Sequence, residues 1–157
     1  MLLCHNLQNL FCCTFTLPKL KKIIYTDDQE DILLFAEYAL KNYGKFDTLM
    51  CESGAEALEK IDAFNPDLIV LDFMMPKLDG PQTLRKIRHM KLFETTPAIF
   101  ITAKIFPNEV EDLMKCDSSV IGLIPKPFDP VTISDSIQSM WDASFSNEKT
   151  TKQIAQS

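Results

Sequence analysis

Short apolar runs alternate along the chain with stretches in which apolar residues recur every three or four positions. Lys22 to Thr26 is a β-type run that ends against acidic residues. Ile32, Phe35, Ala36, Ala39 and Leu40 then fall at helical spacing, and Gly44 marks the end of that helix. Asp47 to Cys51 reads as a second strand. Ser53 followed by Glu56 is a capping-box pattern, opening a helix that carries Ala57, Leu58 and Ile61 and stops before Pro66. Leu68 to Leu71 is continuously apolar, as a central strand buried on both faces requires. A loop through Pro76 and Gly80 leads to a helix over residues 81–91, with Leu84, Ile87 and Arg88 at helical spacing. Ala98 to Ile101 is a fourth strand, Asn108 to Lys115 a short helix, and Val120 to Ile124 a fifth strand. Residues 130–141 form the last helix, which ends near Trp141.

Strands alternating with helices in this way predict an α/β fold, a parallel sheet of five strands with helices on both faces. Ligands in such folds sit beyond the carboxyl ends of the strands. Chemistry-bearing residues stand there. Asp27 and Asp28 come after the first strand, Asp72 after the third, Thr102 after the fourth and Lys126 after the fifth.

Composition narrows the field. The chain has 157 residues, a length that suits one domain. A formal net charge of -6 makes the chain a poor candidate for sequence-independent nucleic-acid binding, which needs a clustered basic surface. No apolar run in the body is long enough for a membrane span. The five cysteines include no C-x-x-C pair, so a reduced, cytoplasmic setting is expected. The first 18 residues contain no Lys, Arg, Asp or Glu, and the basic residues Lys19, Lys21 and Lys22 come after the apolar stretch instead of before it. Residues 1–20 are therefore read as a disordered or mis-started leader, 21–143 as the folded domain, and 144–157 as a flexible polar tail.

Taken singly, an Asp-Asp pair after a strand is more often a solvated turn or a helix cap. An isolated Thr at a strand end is usually structural, and a Lys-Pro is usually a surface loop. Together they imply more. Three neighbouring carboxylates repel one another, and a hard divalent cation such as Mg2+ removes that cost. A carboxylate is also a nucleophile toward phosphorus, with a metal and a lysine neutralising the transferring group.

The segments IIYTDDQEDI, LIVLDFMMPKLDG, AIFITAK and GLIPKPFDP resemble the receiver domain of two-component response regulators, over about residues 21–141. The intervals from Asp28 to Asp72 and from Asp72 to Thr102 resemble the family's usual spacing. The resemblance implies a flavodoxin-like (βα)5 three-layer sandwich with strand order 2-1-3-4-5, an order for which a member of this family is a standard example. It implies Asp72 as phospho-acceptor and Asp28 as a direct Mg2+ ligand. Asp27 is then an acid acting through metal-bound water, and Met74 a ligand through its backbone carbonyl. Thr102 is the switch hydroxyl and Lys126 the lysine that pairs with the phosphoryl group. A cis Lys126–Pro127 bond is also expected. Lys104 falls at the site mouth. Two positions depart from the family pattern: Thr26 replaces the common Val, and Leu123 stands where the switch aromatic usually lies.

The implied function is a phospho-accepting response regulator, not an enzyme. Its partners would be a histidine kinase or histidine phosphotransfer protein and a downstream protein target, with a phosphorylation-dependent dimer as an option. With no output domain expected after Trp141, signalling would run through protein contact. Two other readings stand beside it. One is a phosphatase with an aspartyl-phosphate intermediate, against which Met74 argues, since such enzymes commonly carry an acid there. The other is a phosphorylation-independent interaction module, which Leu123 keeps open.

Overall fold

A computed structural model describes residues 17–103, 112 and 114–154. Its elements run β1 (Lys22–Thr26), α1 (Glu30–Asn42), β2 (Asp47–Cys51), α2 (Gly54–Phe64), β3 (Leu68–Asp72) and α3 (Gly80–Arg88). A 3-10 turn (Lys91–Phe93), β4 (Ala98–Thr102), β5 (Val120–Pro125) and α4 (Ile133–Ile154) follow. The strands form one parallel sheet in the order β2-β1-β3-β4-β5. The five strands, the first two helices and the sheet order agree with the sequence reading.

Alternate strand residues face opposite layers. Ile23, Tyr25, Leu68, Val70, Ile99 and Ile101 pack with Leu33, Ala36 and Leu40 of α1 and Ile133, Ile137 and Trp141 of α4. Ile24, Ile69, Leu71, Ala98 and Phe100 pack on the other side with Ala57 and Ile61 of α2 and Leu84 and Ile87 of α3. β3 is buried along its whole length, which explains its unbroken apolar run. Each fully buried Leu or Ile contributes about 1.5–3 kcal/mol relative to exposure. These two layers therefore hold the strand ends rigidly in place.

Local chemistry sets the helix starts. Ser53 Oγ accepts the Glu56 N–H at 3.2 Å, as the capping pattern requires, but the Glu56 carboxylate reaches back to the Glu52 N–H (2.6 Å), one residue beyond the usual partner. Asp79 Oδ1 accepts from the Gln82 N–H at 2.7 Å and caps α3. Gly80 has to be glycine. A Cβ there would lie 2.3 Å from the Asp72 carbonyl oxygen, so α3 starts pressed against the end of β3.

Three boundaries differ from expectation. The helix expected over 81–91 ends at Arg88, and the chain tightens into the 3-10 turn. The helix expected over Asn108–Lys115 lies mostly outside the described residues, of which 112 and 114–116 are helical. The last helix neither starts at 130 nor ends near Trp141. It runs from Ile133 to Ile154, through residues read as a polar tail. Polar residues do not stop a helix by themselves, and there is no Gly or Pro between Ile133 and Ile154 to do so. Phe145 packs edge-on against Trp141 at 4.9 Å between ring centroids, and the Ser144 and Ser146 hydroxyls bond back to helix carbonyls.

Residues 1–16 of the expected leader lie outside the described residues. Among the described residues, the Pro18 carbonyl accepts the Trp141 Nε1–H at 2.8 Å, and Leu20 is buried in the core. Among the described residues, no helix is long and apolar enough to cross a membrane. Cys51 is buried, and desolvation first of all pushes its thiol up to about 12, so it is chemically inert.

Candidate functional site

The carboxyl ends of β1, β3, β4 and β5 converge, as the sheet order demands. Asp27 follows β1 and is fully buried; Asp28 beside it is exposed. Asp72 is the last residue of β3 and Thr102 the last of β4, and both are buried. Lys126 follows β5, and its backbone N–H donates to the Thr102 carbonyl at 2.7 Å. That bond ties the hydroxyl-bearing strand end to the lysine-bearing one. The Lys126–Pro127 bond is cis, as expected.

Three carboxylate oxygens, one each from Asp27, Asp28 and Asp72, lie within 4.8 Å of one another. Lys126 Nζ sits between two of these acids, 2.5 Å from Asp27 Oδ2 and 2.8 Å from Asp72 Oδ2. The two contacts are unlike. The one to Asp72 is a well-formed hydrogen bond, whereas the shorter one to Asp27 is a close ion pair with a fully buried carboxylate oxygen. The other oxygen of Asp27 accepts the Gln29 N–H at 3.0 Å. α1 has no side-chain cap of its own at Gln29, so Asp27 organises that turn while its second oxygen faces the pocket.

Electrostatics follow from this crowding. Burial pushes the Asp27 carboxyl above the usual carboxylate range, the Lys126 and Gln29 contacts pull it back without cancelling, and Asp72 adds to the rise. For Lys126, burial works to lower the ammonium, but its bonds to Asp27 and Asp72 outweigh that and its pKa ends above the usual lysine value. One ammonium thus pairs with two of the three clustered acids, so negative charge is left in excess there. A small divalent cation bound by oxygen fits that donor set.

Met74 is brought to the site by its own N–H, which points at Asp72 Oδ1 at 3.3 Å, while its side chain is exposed. Leu123 pairs in register with Phe100 on β4 and is partly buried against the α2/α3 core layer. Lys104 lies outside the described residues. Sequence reasoning did not single out Tyr25. It stands two residues before Asp27 and is fully buried, with a hydroxyl that has no hydrogen-bond partner among the described residues. The signal was present in the period-two rule, but an aromatic in a strand reads first as core.

Comparison with known proteins agrees with this geometry. Residues 23–138 match the family described as response regulator receiver domain. The chain is 34% identical over 120 residues to the alkaline phosphatase synthesis transcriptional regulatory protein PhoP of Bacillus subtilis, covering 76% of this chain and 48% of that protein. It thus spans about half the length of that relative. It is 31% identical over 119 residues to the chemotaxis protein CheY1 of Helicobacter pylori, covering 74% of this chain and 94% of that one. Among solved structures, the chemotaxis protein CheY4 of Vibrio cholerae superposes with a TM-score of 0.70 at 25% identity, over 78% of this chain and 99% of that one. The fold is that of these receiver domains, the strand order included. The family is a signalling domain, not a class of enzyme in its own right, and its members act with histidine kinases and downstream targets. The chain belongs to the response regulator receiver domain family, the phospho-accepting modules of two-component systems.

Proposed function

We propose that Asp72 is the residue that accepts the phosphoryl group. The observation that carries the assignment is its position. Its carboxylate ends the central strand, bonds Lys126 at 2.8 Å, and lies within the acid cluster completed by Asp27 and Asp28. In the reaction, an Asp72 carboxylate oxygen attacks phosphorus in a phosphohistidine. The new O–P bond forms as the N–P bond breaks, and the electron pair returns to the imidazole nitrogen. The donor is a histidine kinase or a histidine phosphotransfer protein.

Asp27, Asp28 and Asp72, with the backbone carbonyl of Met74, would hold Mg2+. When bound, the cation neutralises charge on the transferring group. Lys126 does the same from the other side, because its ammonium is already aligned on the attacking carboxylate. The acyl phosphate carries about two negative charges where the Asp72 carboxylate carried one. Lys126 then leaves Asp27 for the phosphoryl oxygens. Because its backbone is bonded to the Thr102 carbonyl, the ends of β4 and β5 respond together, and the Thr102 hydroxyl donates to the new acceptor. The domain acts in the cytoplasm and signals through protein contact. A phosphatase would need an acid two residues beyond the nucleophile, and Met74 supplies none.

Incubation with a small phosphoryl donor and Mg2+, followed by intact-mass measurement, tests the assignment. Wild type gains one phosphoryl group and Asp72→Asn gains none. Uptake by the variant overturns it.

A further inference from the structure

α1 turns an apolar face outward. Leu34, Phe35 and Tyr38 are 59 %, 58 % and 59 % exposed, and Tyr43, which caps the helix, is 50 % exposed. These are four of the eight exposed large hydrophobic residues among those described, so exposed apolar surface is concentrated on this one helix. Tyr38 and Tyr43 meet edge-on with ring centroids 6.1 Å apart, which carries the face down to the end of the helix. The opposite face, with Leu33, Ala36, Ala39 and Leu40, is already buried in the core. Lys41 and Glu37 pair with each other at 2.6 Å, so their charges are matched within the helix. A concentrated apolar surface of this kind marks a contact site.

The chain itself supplies a fitting occupant. It enters the described body beside the C-terminal end of α1. The Pro18 carbonyl is held by Trp141, and Leu20 is buried in the same layer as Ala39 and Leu40. The Lys21 carbonyl accepts the N–H of Asp47, just past the turn that follows α1, at 2.8 Å. Residues 1–16 contain no Lys, Arg, Asp or Glu. Leu3, Leu7 and Leu10 recur there at intervals of three or four residues, and Phe11 lies four beyond Leu7. The helix is about 20 Å long, and an extended segment of this length reaches about 50 Å, so the whole face is within range. A segment without charged side chains can lie on Leu34, Phe35 and Tyr38 without stripping water from an ion.

We propose that residues 1–16 dock on the outer face of α1, an intramolecular contact that sets Leu3, Leu7, Leu10 and Phe11 against Leu34, Phe35, Tyr38 and Tyr43. The contact covers the largest concentration of exposed apolar side chains on the described body. It does not depend on the phospho-acceptor reading.

The test uses the full chain and reads the contact from both sides. With 3-fluorotyrosine incorporated and Tyr38 assigned through Tyr38→Phe, a soluble gadolinium chelate broadens the 19F resonances that face water. Tyr38 is expected to resist broadening in wild type and to lose that protection in Leu7→Asp/Phe11→Asp. From the other side, alkylation of Cys12 and Cys13, followed by peptide mass, is expected to be slower in wild type than in Leu34→Glu/Phe35→Glu. Buried Cys51 stays unreacted throughout and reports that the body remains folded. If either reading is unchanged by its substitutions, the face is bare or belongs to another molecule, and the proposal is overturned. Protection of Tyr38 that fades on dilution, with elution as a dimer, gives the face to a second copy and overturns it as well.

Discussion

The two ends of the sheet each hold a buried-edge ion pair, and they are built to opposite standards. At the amino end, Arg88 Nε donates to Asp117 Oδ2 and its Nη1 to the Phe93 carbonyl, both at 2.7 Å, while Asp117 Oδ1 takes the Ser119 N–H at 2.9 Å. Asp67 nearby accepts from the backbone N–H groups of Lys21 and Lys22 at 3.0 and 2.8 Å. One cation meets one acid, and among the described residues Arg88 Nη2 and the Thr48 hydroxyl at the start of β2 lack a partner. At the carboxyl end, one ammonium is divided between Asp27 and Asp72 with Asp28 alongside, and among the described residues the Thr26 and Tyr25 hydroxyls of β1 lack hydrogen-bond partners. The first arrangement closes the fold. The second leaves bonding capacity open to a cation and an arriving phosphoryl group. Under-satisfied polar groups in a rigid frame mark the working end of a molecule.

Substitutions that strip charge should separate the two ends, beginning with the largest effect. Asp72→Asn removes phosphoryl uptake entirely, whereas Asp117→Asn leaves it intact, both read by intact mass. Arg88→Met should lose about 2–3 kcal/mol in urea denaturation, because the partners it leaves are partly buried, and Mg2+ should not restore the loss. Lys126→Met should lose about 1–2 kcal/mol when metal-free, and here Mg2+ should recover most of it, since a cation can take over between the acids. If Mg2+ rescued both variants or neither, the contrast between the ends would collapse.

The smallest effect is a gain. Asp27→Asn should stabilise the metal-free protein by about 1 kcal/mol at neutral pH while weakening Mg2+ binding, measured by thermal melts and titration calorimetry. The sign follows from linkage. The folded Asp27 carboxyl lies above its unfolded value, so the folded state holds the proton more tightly. Wild-type stability is then favoured below the unfolded carboxylate range and declines as pH rises through the folded value of Asp27. Asp27→Asn should lack that decline. Lys126 behaves in the opposite range. Its raised pKa stabilises the fold below the ordinary lysine value, and that contribution is lost as pH rises through the folded value.

How the pocket was legible follows from the same physics. Asp27, Asp28, Asp72, Thr102 and Lys126 each stand at the end of an apolar run, and in a parallel sheet all such ends point the same way. Their gathering could therefore be inferred without coordinates. The reach of α4 to Ile154 could not, because its polar second half has no periodicity to read and is continued from a packed first half. Pro18 and Leu20 escaped for a related reason: their order comes from Trp141 and the core, which are distant in sequence.

Strand count, sheet order through the family resemblance, and the identity of the acids, hydroxyl and lysine were determined by the amino-acid sequence itself, since period, turn residues and motif spacing are local properties. Only the tertiary structure decided how those groups share their bonds. It put Lys126 on two acids at once and buried a tyrosine whose hydroxyl has no hydrogen-bond partner among the described residues. Hydrogen-bond satisfaction depends on distances among residues from different strands, and no one-dimensional pattern carries those distances.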